Sequence, residues 1–507
     1  MLRWLLTPLT AAIACALWAA PALAQVEATS DNFRLVSEAD VPGTAILSDL
    51  EAFRAAVLAD LGLPTADAEP LALTLTEDLA LFDAITPGGI TAGIYLQSAA
   101  GADIVIGYSD APGHVLSDAL DPDWLRLVLR HEVVHHILET HYPRKLPIWL
   151  GEGLAEYYAT FDTDGDGLAI FGRAVPGQES LAADGTWLPM RTVIESLGRY
   201  PDYQGQVGSL YDSQRVYYGQ VSALARFVMD QPRGLARAHA FVDGLAPARD
   251  SEDSFEAAFG LRYGPLEQAI RAEADSADGP VRVSRLEPTG PRSITAEPLT
   301  ASARAINRQR LLLSYGRKTS GVSNMIASRR AALPDATDTL DLARALERWR
   351  RGDWDGSDGW SARVLARDPL DPRALKLRAK TAYGRVSQDQ TNEALWSEAE
   401  AAVLNALSVA PDDAQLHLFR VAVSLPVSDR LPSEALASLD WLGERDVRHR
   451  LPHEAMMMIP ALIYENRLDR ADAVLDSAAR WTTDPADIFV IERLRASVEA
   501  RRARPAQ

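Results

Sequence analysis

The chain has 507 residues, of which 47% are hydrophobic and 24% charged, and its 51 basic against 70 acidic residues give a formal net charge of −19. This fits a folded, acidic protein of two or three domains, and it disfavours nucleic acid and anionic membrane surfaces as partners unless basic residues cluster. The only cysteine is Cys15, so a chain processed beyond it has neither disulfides nor thiolate metal ligands.

At the N-terminus, Arg3 precedes an apolar stretch from Trp4 to Ala20, and Ala22-Leu23-Ala24 places small residues at the −3 and −1 positions. Residues 1–24 therefore read as a signal peptide cleaved before Gln25. Export, into the periplasm of a Gram-negative bacterium, is the expected destination. A lipoprotein joined through Cys15 is the second reading, disfavoured because Ala12-Ile13-Ala14 lacks the usual leucine, and an uncleaved membrane anchor is the third. No later run is long enough to span a membrane.

Residues 25–275 form the first expected domain, mixed in type. Phe33–Val36, Leu71–Leu75, Gly93–Leu96 and Ile104–Ile106 read as strands, and Leu47–Leu61 as a helix. Asp121-Pro122 marks the start of another helix, with aspartate as N-cap and proline at the first helical position. On that helix comes His131-Glu132-Val133-Val134-His135. Residues four apart lie about one turn apart on the same face, so His131 and His135 can direct both imidazoles at one zinc ion. Glu132 reaches over the open side of the metal, where a carboxylate can act as general base toward a zinc-bound water.

A third ligand is needed, and Glu152 is the candidate, in the first turns of a helix beginning near Pro147. Glu156, one turn further, can accept a hydrogen bond from the distal N–H of a zinc-bound histidine. His136 is rotated by about 100° from His135 and reads as a packing or surface residue, while His141 lies past the expected end of the helix.

His131-Glu132 through His135, followed by Trp149-Leu150-Gly151-Glu152-Gly153 and Glu156, resembles the gluzincin clan of metallopeptidases, and within it the bacterial peptidase MA-like domains. The resemblance implies an α+β zincin-like catalytic domain, a small twisted sheet packed on active-site helices. It also implies His131, His135 and Glu152 as zinc ligands, Glu132 as base and Glu156 as the support of a ligand histidine. The segment Tyr218–Phe227 resembles the clan's later helix, which opens with a tyrosine that hydrogen-bonds the oxyanion; Tyr218 takes that role and Tyr217 is the alternative. By the same analogy a substrate lies along an exposed edge strand, drawn from Gly93–Leu96 or Ile104–Tyr108.

Asp162–Gly167 imitates the first half of a calcium loop, but its twelfth position is Arg173 rather than glutamate, so a tight turn between strands is the better reading. Gly279, Pro280, Pro288, Gly290, Pro291 and Pro298 mark residues 276–305 as a linker. Residues 306–507 read as helical and weakly repetitive. Three stretches keep small or medium residues seven apart on a helix: Ser357 and Val364 before Pro369, Ala399 and Ala406 before Pro411, and Ala471 and Ala478. This spacing resembles the second helix of tetratricopeptide repeats, and implies an all-α tetratricopeptide-like solenoid. Ser357 and Val364 stand where alanines are usual, the last stretch lacks its proline, and the separations exceed the standard repeat length.

Taken together these features imply an exported zinc metallopeptidase acting on a peptide or protein substrate, with the helical region recruiting substrate or a protein partner. Endopeptidase action is favoured, because no glutamate motif for holding a free amine precedes the zinc helix. The alternative is a non-catalytic envelope scaffold whose repeats bind a partner while the peptidase-like domain is vestigial. An intact Glu132 counts against that alternative, since a scaffold has no use for a general base.

Overall fold

The computed structural model describes residues 25–503 apart from 66–68, 87–90, 110–118, 164–166, 174–186, 199, 202–209, 246–249, 275–280, 286–292, 318, 331–337, 426–430 and 483. The expected signal peptide lies outside the described residues. Among those described, no helix is long and apolar enough to cross a membrane.

The chain is mixed α/β, with a small mixed sheet and many helices. The main sheet contains β1 (Val26–Thr29), β2 (Phe33–Ser37), β3 (Leu71–Thr76), β4 (Gly93–Ser98) and β5 (Gly101–Gly107); β6 (Asp162–Thr163), β7 (Leu168–Phe171) and β8 (Arg282–Arg285) form a second sheet, and β9 (Thr295–Pro298) returns to the first. Strand order in the main sheet is β4-β5-β3-β2-β1-β9. The β2–β3 and β3–β5 pairs are parallel and the others antiparallel. Of the two segments offered as an edge strand, β4 is at the edge and β5 is internal.

The first helices are α1 (Gly43–Leu61), α2 (Leu79–Ile85), α3 (Pro122–His141), α4 (Ile148–Ala159), α5 (Met190–Ile194), α6 (Leu210–Asp230), α7 (Gly234–Gly244), α8 (Ser251–Phe259) and α9 (Tyr263–Ala274). The Asp121 carboxylate accepts from the Asp123 and Trp124 backbone N–H groups, so α3 starts where its capping pair predicts. Pro147 caps α4 rather than opening it. Trp149, Leu150, Leu154 and Tyr158 on α4 are buried in the same core as Leu129 and Val133 of α3 and Val221 and Leu224 of α6, so α4 is the middle of three packed helices. Burial of this kind stabilises by roughly 1.5–3 kcal/mol for each large apolar side chain.

β6 and β7 pair antiparallel, and Arg173 bridges Asp162 at 2.6 Å; residues 164–166, the centre of the calcium-like stretch, lie outside the described residues. The stretch over 276–305 that reads as a linker holds regular structure among its described residues. That stretch carries β8, paired to β7, and β9, paired to β1. Pro298 ends its strand at the sheet edge, where a residue with no N–H donor can be accommodated.

Next come α10 (Ala301–Tyr315) and α11 (Ser320–Arg330), whose Leu311, Leu312 and Val322 share a core with Leu81, Phe82 and Val105 of the sheet side. Arg308 pairs with buried Glu38, and Arg310 with buried Asp103. These helices therefore belong to the sheet's packing although they follow the expected linker.

The helices α12 (Asp338–Arg350), α13 (Trp354–Arg367), α14 (Pro372–Gln388), α15 (Glu393–Val409), α16 (Ala414–Ser424) and α17 (Ser433–Glu444) follow, then α18 (Ile459–Tyr464), α19 (Leu468–Arg480) and α20 (Pro485–Arg502). From α12 to α17 each helix packs on its sequence neighbour, and α12, α14 and α16 also touch one another in turn. Ser357, Val364, Ala399, Ala406, Ala471 and Ala478 are all buried, so the residues spaced by seven do face neighbouring helices. The array returns to the first domain: Arg450 donates to the Thr140 carbonyl at the end of α3 at 2.7 Å, and the His449 carbonyl accepts from the Lys145 N–H at 2.7 Å.

Candidate metal centre

The i, i+4 spacing on α3 brings His131 and His135 together, with their Nε2 atoms 3.1 Å apart. Glu152 arrives from α4, its Oε2 lying 3.3 Å from His131 Nε2 and 3.4 Å from His135 Nε2. Close packing of α4 on α6 places it there. A Cβ on Gly153 would lie 2.3 Å from the Val221 carbonyl oxygen, so only glycine lets the two backbones approach this far.

His131 Nδ1 faces Glu156 Oε1 at 3.1 Å. With its Nδ1–H donated there, the Nε2 lone pair points to the centre, which is the role expected of Glu156. Glu152 Oε2 is buried and has no hydrogen-bond donor. Two imidazole nitrogens and a carboxylate oxygen converging at these separations form a group that could hold a cation, and the donor set suits a divalent metal ion. Among the described residues His131, His135 and Glu152 are the one such group.

Burial alone would lower the His131 pKa, but Glu152 and Glu156 outweigh it and raise it well above the ordinary imidazole value. His135 follows the same pattern, with Glu152 opposing burial. Burial would raise the Glu152 pKa; the two histidines instead hold it far below the carboxylate range. Glu132 goes the other way, since burial raises its pKa against the pull of the two histidines. A carboxylate of raised basicity beside a metal-type donor set is chemically suited to accept a proton.

The edge strand runs beside this carboxylate. A Cβ on Gly93 would lie 2.6 Å from Val128 Cγ1 and 3.3 Å from Glu132 Oε1, so the glycine lets β4 approach α3. The Tyr95 backbone N–H hydrogen-bonds Glu132. Gly107 N–H donates to the Ala92 carbonyl across the β4–β5 pair, and antiparallel alternation then turns the backbone groups of Gly93, Tyr95 and Gln97 to the outer edge of the sheet, where the Gly93 carbonyl accepts from the Thr91 hydroxyl.

Of the two tyrosines on α6, Tyr217 is fully buried in the core, while Tyr218 stands edge-on to His131 with ring centroids 6.1 Å apart. Burial pushes the Tyr218 pKa well up, reinforced by the Glu152 charge and by a hydrogen bond to Tyr200. Tyr200 in turn donates to Glu152 Oε1 at 2.6 Å. The sequence offered no signal for Tyr200, which belongs to no motif or periodic pattern. His136 is buried, with Nδ1 3.4 Å from the Tyr95 hydroxyl, and His141 is the last residue of α3; neither joins the metal group. No protein-family model matches the chain, and no curated protein matches it.

Proposed function

We propose that this chain is an exported zinc metallopeptidase of the gluzincin type, with a zincin-like domain followed by a tetratricopeptide-like helical array. The observation that carries the reading is the convergence of His131, His135 and Glu152 with Glu132 on the same helix and a free strand edge alongside. Zinc held by these three residues would polarise water and the scissile carbonyl.

The residues of the chain supply the rest. A peptide substrate adds to the outer edge of β4, where the Gly93 N–H and the main-chain groups of Gln97 hold it in register. Glu132 removes a proton from the attacking water and passes it to the leaving amine. Tyr218 donates its hydroxyl to the oxygen on which negative charge develops. Glu156 keeps His131 in one tautomer. An open strand edge binds main chain without reading a terminus, which favours endopeptidase action, and the helical array recruits substrate or a protein partner.

Glu132→Gln tests this reading. Zinc content should match wild type, while turnover of an unfolded protein substrate falls by about 10²–10⁴-fold, as removal of a positioned general base implies. Absence of turnover from both proteins with zinc retained would favour the non-catalytic scaffold.

A further inference from the structure

We infer that Tyr200 is a positioning residue that divides the work of the two Glu152 oxygens, holding Oε1 so that Oε2 alone faces the metal. This rests on the metallopeptidase reading. Tyr200 donates to Glu152 Oε1 at 2.6 Å, while Oε2 faces both ring nitrogens at 3.3 and 3.4 Å. A carboxylate tied through one oxygen in this way has one oxygen left for the ion, and supports of this kind tune metal affinity.

Tyr200 is 46% exposed as a residue, yet its hydroxyl reaches inward to a buried carboxylate, and its ring stands edge-on to Tyr217 at 5.9 Å. Two residues earlier, a Cβ on Gly198 would lie 2.8 Å from the Trp481 carbonyl oxygen. Just before that, the Leu197 carbonyl accepts from the Ile148 N–H at 2.9 Å, at the start of the helix that carries Glu152. Tyr200 and Glu152 are thus referred to the same helix end, with a residue from the C-terminal helices packed beneath.

The hydrogen bond to Glu152 Oε1 comes from Tyr200, whereas Tyr218 meets the site through its ring, edge-on to His131 with centroids 6.1 Å apart. The two tyrosines therefore have separable roles: losing the Tyr200 hydroxyl disturbs the metal ligand, and losing the Tyr218 hydroxyl does not.

The test compares wild type, Tyr200→Phe and Tyr218→Phe as full chains, measuring Zn²⁺ affinity by chelator competition and the visible spectrum of the Co²⁺-loaded protein. Tyr200→Phe should bind Zn²⁺ about 10–100-fold more weakly. Its Co²⁺ spectrum should shift as Glu152 becomes free to bind through both oxygens, while the metal-free melting temperature stays at the wild-type value. Tyr218→Phe should match wild type in affinity and spectrum, and Tyr200→Gln, which restores a donor, should recover part of the affinity. Equal affinity and an unchanged spectrum in Tyr200→Phe would overturn the assignment while leaving the metal site intact. Failure of wild type to bind Zn²⁺ or Co²⁺ would overturn the metallopeptidase reading and this inference together.

Discussion

Glu156 Oε1 lies 3.1 Å from His131 Nδ1, on the side of the ring opposite the nitrogen that faces Glu152 and His135. Because Glu156 follows Glu152 by one helical turn, a single helix supplies both a metal-facing carboxylate and the group that orients a metal-facing imidazole. Replacing Glu156 with Ala should leave the fold intact and weaken Zn²⁺ binding by about 10–100-fold, the usual cost of losing such a partner. Chelator competition decides it, and wild-type affinity in the variant would refute the role.

Gly153 offers a test of how the site is built. Its added Cβ would lie 2.3 Å from the Val221 carbonyl oxygen, a backbone atom that cannot swing aside, whereas nothing lies within 4 Å of a Cβ on Gly151. Gly153→Ala should therefore destabilise the protein by about 1–3 kcal/mol through overpacking, and move Glu152 with α4. Gly151→Ala, on the same helix, should be neutral or stabilising by up to about 1 kcal/mol. Urea unfolding of the two variants side by side would expose the error if they lost stability equally.

Much of the site was legible because it is written in local spacing. His131 and His135 are four apart, as are Glu152 and Glu156, and a helix converts four residues into one face. Tyr200 was illegible, since its hydroxyl reaches Glu152 across 48 positions of sequence with no periodic pattern to announce it. Elements of the sheet were legible as apolar runs at β2, β3, β4 and β5. β1 and β9 were missed: both are short, and they pair with each other across the whole first domain.

The strands inside the stretch read as a linker were illegible for a related reason. Proline and glycine mark interruptions of regular structure, but they do not say whether the pieces between them find partners elsewhere. Here Arg282–Arg285 and Thr295–Pro298 complete two sheets, and buried Asp103 and Glu38 await Arg310 and Arg308 from the helix that follows. The seven-residue spacing in the helical region was readable, because buried positions such as Ala399 and Ala406 return to the same face.

His239 gives the pH dependence. Its Nε2 lies 3.0 Å from the Tyr142 hydroxyl, and burial together with the neighbouring Arg144 charge lowers its pKa to about 4. Arg144 also bridges to Asp243 and hydrogen-bonds His449, whose own pKa is lowered by burial and by the same arginine, so the neutral histidines sit where the helical array meets the end of α3. An unfolded chain takes up the His239 proton near pH 6.5, whereas the folded protein resists it until about pH 4. Stability from this group is therefore complete above pH 6.5 and lost as the pH falls toward 4, by about 1–2 kcal/mol after allowance for its partial exposure. His131 and His135 titrate with the opposite sign, since their folded values are raised. Both are common to wild type and His239→Asn, so the difference between the two proteins isolates His239. Denaturant midpoints at pH 7.5, 5.5 and 4.5 should converge as the pH falls, wild type losing its advantage in the acid range; parallel curves would show that His239 is not held neutral in the fold.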